Sequence, residues 1–247
     1  MRSTQVSLKK YKQQFSKFND KLNNIVYRRE TIEFLHIGKN GGTAIMNLMR
    51  QINAECKEPY FFNKNNHSIN LADIPLNHRY FFSIRSPLSR FSSAFYSRKR
   101  KGQPRIYSEW RPEEEVAFSN FEHANDLAES LFSEGDIGLK AFSAMRSISH
   151  LKKLQYNWFD QLDHMFYERP PIYILRQESL SSDIDILMSK LGISTDLDLT
   201  SDPVHAHKTD YSAIPALSEK AKKNLEKWYE ADLFFVNAVN NWCDENA

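Results

Sequence analysis

Residues Phe34–Arg50 read FLHIGKNGGTAIMNLMR, and the stretch changes character twice along its length. Thr31–Ile37, TIEFLHI, is a short apolar run of strand type. Gly38–Gly42, GKNGG, breaks it, and three of the chain's seven glycines lie there. From Thr43 the apolar residues of AIMNLM recur at helical spacing. The pattern is a strand, a glycine-rich turn and a helix start. A helix start presents N–H groups that the helix leaves unpaired, and the positive end of its dipole. Anions settle there, and glycine lets backbone close on a phosphate because no Cβ stands in the way. Lys39 adds a positive charge and Thr43 a hydroxyl. A tight strand-to-helix connection with a solvated lysine gives much of the same pattern, so this stretch alone does not decide the chemistry.

Two familiar phosphate loops are excluded by spacing. G-x-x-x-x-G-K-[ST] sets the lysine directly before the hydroxyl residue, whereas Lys39 stands four residues before Thr43. G-x-G-x-x-G is not matched by GKNGGT either.

Outward from the loop, residues 1–30 are polar and basic, with a helix predicted around Val6–Ile25 as a surface arm. Gln51–Asn77 reads as irregular, and NKNNHSIN has loop composition. Arg79–Arg85, RYFFSIR, is a second strand. Ser86 and Pro87 start a helix as N-cap and first-turn proline, running to about Lys101. Gln103–Glu115 reads as a charged loop, and Val116–Leu154 as several short helices. Tyr156–Tyr167 is aromatic and reads as helical. Pro171–Leu175 is a third strand, Leu180–Leu191 a helix closed by Gly192, and Thr195–Pro215 a loop. Ser218 caps a long helix through Trp242. Strands alternating with helices predict an α/β fold, a parallel sheet flanked by helices on both faces. Ligands bind such sheets at the carboxyl ends of the strands, where Gly38 and Arg85 both lie.

Arg85 supplies the second site. Ser89, Ser93 and Ser97 share one face of the helix that follows it, at i, i+4 spacing. An arginine fork with a hydroxyl is a good receptor for a second phosphate. Alone, Arg85 would be read as the partner of a structural acid; beside the Lys39 loop it is not.

These two constellations resemble the PAPS-dependent sulfotransferases (PAPS is 3′-phosphoadenosine 5′-phosphosulfate), most closely the carbohydrate branch. There the 5′-phosphosulfate loop has the form H-I-x-K-x-G-G-T, matched here by His36, Ile37, Lys39, Gly41, Gly42 and Thr43. Gly38 departs from a common proline, which should loosen the loop without removing a phosphate ligand. The 3′-phosphate motif R-x-P-x-x-R-x-x-S-x-[YF] is matched by Arg85, Pro87, Arg90, Ser93 and Phe95. Glu178 and Leu180 resemble the family's E-x-L turn, and Tyr229, Asp232 and Phe235 its terminal helix. The likeness runs from Ile32 to Trp242, with an interruption at Gln103–Leu154. It implies a P-loop-like core in one domain over 1–247, with a helical insertion at 103–154 on the acceptor side. It also implies a nucleotide site of Gly38, Lys39, Asn40, Gly41, Gly42, Thr43, Ala44, Arg85 and Ser93, with Lys208 on a closing loop. Lys39 and His67 are the implied catalytic pair. His67 lies where the family takes its general base, and Glu58 and His123 are the alternatives.

Other readings complete the picture. The net charge of +2 gives no argument for nucleic acid. No apolar run reaches 18 residues, the length a membrane span needs. With no hydrophobic leader and two cysteines lacking metal spacing, Cys56 and Cys243, the expectation is a cytoplasmic enzyme with buried thiols. His36 is read as structural, and His205 and His207 as too sparse for a metal. Glu113–Glu115 reads as a solvated face. Phe142 and Tyr211 are candidates to stack on adenine. Arg98, Lys99, Arg100, Lys101 and Arg105, with Trp110, could hold an anionic or sugar acceptor, for which a glycan is preferred over a small metabolite. Two other classes stay open: a nucleotide-dependent kinase, and a silent nucleotide-binding module.

Overall fold

The computed structural model describes residues 29–55, 59–104, 106–160, 164–193 and 214–247. The predicted arm helix at 6–25, Cys56, Glu58, Arg105, His205, His207, Lys208 and Tyr211 lie outside them.

The fold is α/β. Four strands, β1 (Glu30–Leu35), β2 (Tyr60–Lys64), β3 (Arg79–Ile84) and β4 (Ile174–Arg176), pair in parallel in the order β2-β1-β3-β4. β1 is followed by α1 (Gly42–Glu55) and β3 by α2 (Pro87–Lys99). Three short helices come next, α3 (Pro112–Asn120), α4 (Ala124–Ser130) and α5 (Asp136–Ser147). After β4 come α6 (Leu180–Leu191), α7 (Glu219–Trp228) and α8 (Glu230–Glu245).

β1 and β3 are central and largely buried: Ile32–Leu35 and Tyr80–Ile84 are all buried, Glu33 and Ser83 among them. Phe34 is register partner to Phe81, and their rings stack at 5.0 Å. Both are fully buried, and a buried side chain of this size contributes roughly 1.5–3 kcal/mol. A second apolar cluster lies away from the sheet, where α2, α3, α4, α5 and α7 meet around Phe91, Phe95 and Leu127.

The chain leaves β1 toward β2 on one side of the sheet, and leaves β3 toward β4 on the other. The crevice of such a sheet opens where the order reverses, beyond the carboxyl ends of β1 and β3. The Gly38 loop and Arg85 are the residues at those two ends.

Several expected boundaries shift. β2 lies inside the stretch read as irregular; its five residues, YFFNK, are too short and too polar at the end to stand out. α3 begins at Pro112, within the expected charged loop. The Tyr156–Tyr167 segment holds a 3-10 turn at Gln155–Trp158 and a π-helical turn at His164–Glu168. The third strand pairs at Ile174–Arg176, later than PIYIL suggests. The terminal helix is two helices broken at Tyr229, which is buried and turns the chain under the second cluster. Ser218 caps α7 as expected, its Oγ accepting from the Ala221 N–H at 3.1 Å. Gly192 ends α6 at φ 66.

Candidate functional site

The loop between β1 and α1 is held from below at three successive residues. Arg90, only 2% exposed, donates through Nε to the Gly38 carbonyl at 3.0 Å and through Nη2 to Lys153 O at 3.1 Å. Arg85 reaches the Lys39 carbonyl through Nη1 at 3.4 Å and the Ser89 hydroxyl through Nε at 2.7 Å. The Asn40 side chain is fully buried and donates to Ser83 O and to Gln155 Oε1, each at 2.8 Å. In a trans peptide the carbonyl and the next N–H point in opposite directions. With the Gly38 and Lys39 carbonyls turned to the arginines, the N–H groups of Lys39 and Asn40 face the other way. Lys39 and Gly41 both take left-handed backbone, at φ 72 and 77. Ala44 donates its N–H back to Gly41 O at 3.1 Å as α1 begins.

Gln155 is the hub that sequence reading missed. It is fully buried, and its Oε1 accepts from both Asn40 and the Arg85 N–H while its Nε2 donates to the Arg85 carbonyl at 2.8 Å. The loop and the end of β3 therefore share one side chain. The next residue, Tyr156, donates its N–H to Asp232 of α8 at 3.1 Å. Burial raises the Asp232 carboxyl, opposed by Gln155 and Arg90. Burial lowers Arg90, and Tyr229 and Asp232 oppose that. The terminal-helix residues Tyr229 and Asp232 thus act on the arginine beneath the loop.

An aromatic column runs from the sheet core to the crevice. Phe34 stacks on His36 at 5.2 Å, His36 meets His67 at 4.1 Å, and His67 meets His150 edge-on at 5.6 Å. Gly42 makes room for the second member: a Cβ there would lie 2.1 Å from His36 Nε2. His67 Nδ1 is 2.9 Å from the His36 carbonyl. A carbonyl only accepts, so Nδ1 carries the hydrogen and the neutral ring presents a lone pair at Nε2. His67 is exposed, yet burial of its ring is the main influence lowering its pKa, the His36 contact opposes it, and Lys64, Arg90 and Lys39 lower it further. Burial brings His150 down to about 3, with Lys39, His67, Arg90 and Arg98 adding to the effect. All these influencing side chains are basic.

The expected residues distribute as follows. Gly38, Lys39, Gly41, Gly42, Thr43 and Ala44 form the loop and helix start, and Arg85 touches that loop. Ser93 is half-buried on α2, one turn past Ser89. Any anion contact from Asn40 falls to its backbone, because its side chain faces inward. Gly38 is buried, and its carbonyl accepts from Arg90. Among the described residues no group of three or more His, Cys, Asp or Glu is arranged to hold a metal ion.

The basic segment expected at an acceptor is instead largely spent on acids. Arg98 forks onto Glu114, Nε to Oε1 at 2.9 Å and Nη2 to Oε2 at 2.6 Å, with both side chains buried. Lys99 pairs with Glu122 at 2.7 Å, and Lys101 pairs with Glu109. Glu114 is thus not part of a solvated face: it is fully buried between Arg98 and the N–H groups of Arg111 and Ser149. Phe142 packs on Trp228 and Phe132 in a surface cluster of the helical layer, at 5.1 and 5.4 Å. His123 is the N-cap residue of α4, its N–H donating to Asp126 Oδ2 at 2.8 Å. Cys243 is a buried thiol. No helix among the described residues is long and apolar enough to cross a membrane.

No family model matches the chain, and no curated protein matches it.

Proposed function

We propose that the protein is a PAPS-dependent sulfotransferase with a P-loop-like core, transferring a sulfuryl group to a hydroxyl or amine of an acceptor. The observation that carries this reading is the glycine loop at the sheet's crevice, its carbonyls held from below by Arg90 and Arg85 so that its N–H groups face outward beside Lys39, next to a histidine whose Nδ1 is held and whose Nε2 is open. Outward backbone N–H groups with a lysine beside them, and an arginine at the end of the neighbouring strand, suit a ligand with several phosphate charges. The residues fit such a ligand in kind. Lys39 and the loop N–H groups would hold the 5′ end, and Arg85 with Ser93 the 3′-phosphate.

PAPS supplies the sulfuryl group, whose S–O bond to phosphate breaks as a bond to the acceptor oxygen or nitrogen forms. Lys39 and the loop N–H groups stabilise the charge left on the phosphate oxygen. His67 takes the acceptor proton at Nε2, while the His36 carbonyl holds the Nδ1 hydrogen and fixes the ring. Arg90 and Gln155 keep the loop in place from below.

The acceptor preferred is a glycan, on the loop's likeness to the carbohydrate branch. With Arg98, Lys99 and Lys101 committed to acids, that likeness now carries the preference by itself. Screening glycans and small hydroxylated or amino metabolites for sulfation by PAPS tests both the reaction and the acceptor.

A further inference from the structure

His150 stands where residue 38 would otherwise carry a side chain. A Cβ built at Gly38 would meet His150 Nδ1 at 2.8 Å and His150 Cε1 at 3.3 Å, with His67 Cε1 at 3.7 Å. The first of these is a clash and the last an ordinary contact, so His150 in its present place requires glycine at 38. The backbone of His150 is also unusual. It takes φ 70, a left-handed conformation that a residue with a Cβ adopts at a cost of order 1–3 kcal/mol. Such strain persists where the surroundings impose it. Here Leu151 donates its N–H to Ile148 O at 3.1 Å, and Ser149 donates its N–H to buried Glu114 Oε1 at 2.9 Å. The turn after α5 is thereby fixed from both sides of His150, and its ring is delivered to the crevice.

We propose that His150 is a positioning residue for His67: through the space opened by Gly38, its ring stands edge-on to His67 as a second ring neighbour beside His36 and fixes the direction of Nε2. This rests on the reading of His67 as the base. His36 covers one side of the His67 ring at 4.1 Å, and His150 stands edge-on at 5.6 Å. The Cβ–Cγ bond and the Nδ1 contact with the His36 carbonyl leave small changes of χ1 and χ2 open; two ring neighbours narrow that range. The charged side chains acting on His67 are Lys64, Arg90 and Lys39. A protonated His150 among them would add repulsion. Its strongly lowered pKa keeps it neutral wherever the base works. The departure at Gly38 therefore has a compensating partner 112 positions away in the chain.

The test compares His150→Ala, His150→Phe and Gly38→Ala in the full chain, following the His67 ring by NMR across a pH titration and measuring sulfuryl transfer beside it. His150→Ala uncovers the ring, so the His67 pKa should rise toward the free value of about 6.5, and turnover should fall about tenfold or more from lost alignment. His150→Phe keeps the covering ring and should hold the His67 pKa close to wild type. Gly38→Ala, which displaces His150 without deleting it, should shift His67 in the same direction as His150→Ala. A His67 titration unchanged in both alanine variants overturns the proposal. So does a His150→Phe variant that shifts as far as His150→Ala, since covering would then not be the cause. The NMR arm reads the His67–His150 relation whether or not sulfuryl transfer is found. Its failure is thus separate from failure of the proposed function, which absence of transfer by the wild type would show.

Discussion

His67 Nδ1 lies 2.9 Å from the carbonyl oxygen of His36, the second member of the aromatic column rising out of β1. One contact fixes both the tautomer and the anchor point of the proposed base. His67→Ala should leave PAP affinity nearly unchanged and lower kcat by about two to four orders of magnitude. Calorimetric titration of PAP beside steady-state turnover checks it. Retained activity removes His67 from the mechanism, and lost PAP affinity makes it a ligand-binding or folding residue. The pH dependence has a definite sign. The neutral ring is the active form, and burial with nearby cations lowers its pKa. The acid limb of kcat/KM should therefore fall below the ordinary histidine value of about 6.5.

Arg85 touches both the Lys39 carbonyl and the Ser89 hydroxyl, at 3.4 and 2.7 Å. PAP should raise the Tm well above what ATP does at equal concentration, because only PAP fills both phosphate positions. Arg85→Ala should weaken PAP more than AMP, which lacks the 3′-phosphate. Equal Tm shifts from PAP and ATP would favour the kinase reading. Equal weakening of PAP and AMP would remove Arg85 from the 3′ end.

Gln155 joins the loop to β3 through three hydrogen bonds. Gln155→Leu removes a partner from the buried Asn40 amide and from the part-buried N–H and carbonyl of Arg85, at up to about 1–3 kcal/mol for each group left unsatisfied. The expected result is a lower urea midpoint and weaker PAP binding together. A variant as stable as wild type would show that the loop is held by other contacts.

The parts of the site that sequence makes legible are those written in consecutive residues. HIGKNGGT changes from strand to glycine to helix within eight positions, and RSPLSR marks a helix start by its proline. Gln155 and His150 were missed because nothing local distinguishes them. They meet the loop from more than 100 residues away, and a glutamine in LQYNW or a histidine in SISH has no periodic signature. Glu114 looked solvated because it lies among acids in PEEEV, although a helix turns neighbouring residues to different faces. The pairing of the basic run at the end of α2 was not legible for the same reason: its partners Glu109, Glu114 and Glu122 follow in sequence, but only the fold pairs them.

The Arg98–Glu114 pair is structural. Burial would raise Glu114, but the Arg98 fork and the N–H groups of Ser149 and Arg111 hold it at about 2. Its folded pKa lies below the unfolded value of about 4.3, so its stabilising share is present above that value and is lost as pH falls toward 2. Glu114→Gln should flatten this acid limb of the stability curve. Arg98→Met, which strands a buried carboxylate, should cost about 3–5 kcal/mol, with acceptor KM unchanged in the folded enzyme. Denaturant melts between pH 7 and 3 check both. An Arg98→Met variant of wild-type stability with a raised acceptor KM would return Arg98 to the acceptor site.

The most direct measurement is sulfuryl transfer itself: PAPS labelled with ³⁵S, incubated with glycans and small metabolites, for the wild type and for Lys39→Ala. Label should pass to an acceptor in the wild type, with PAP released in equal amount. It should fall by about two to three orders of magnitude in Lys39→Ala, comparable to removing one preorganised donor to a developing oxyanion. PAP binding without transfer to any acceptor would contradict the sulfotransferase reading and leave a nucleotide-binding module.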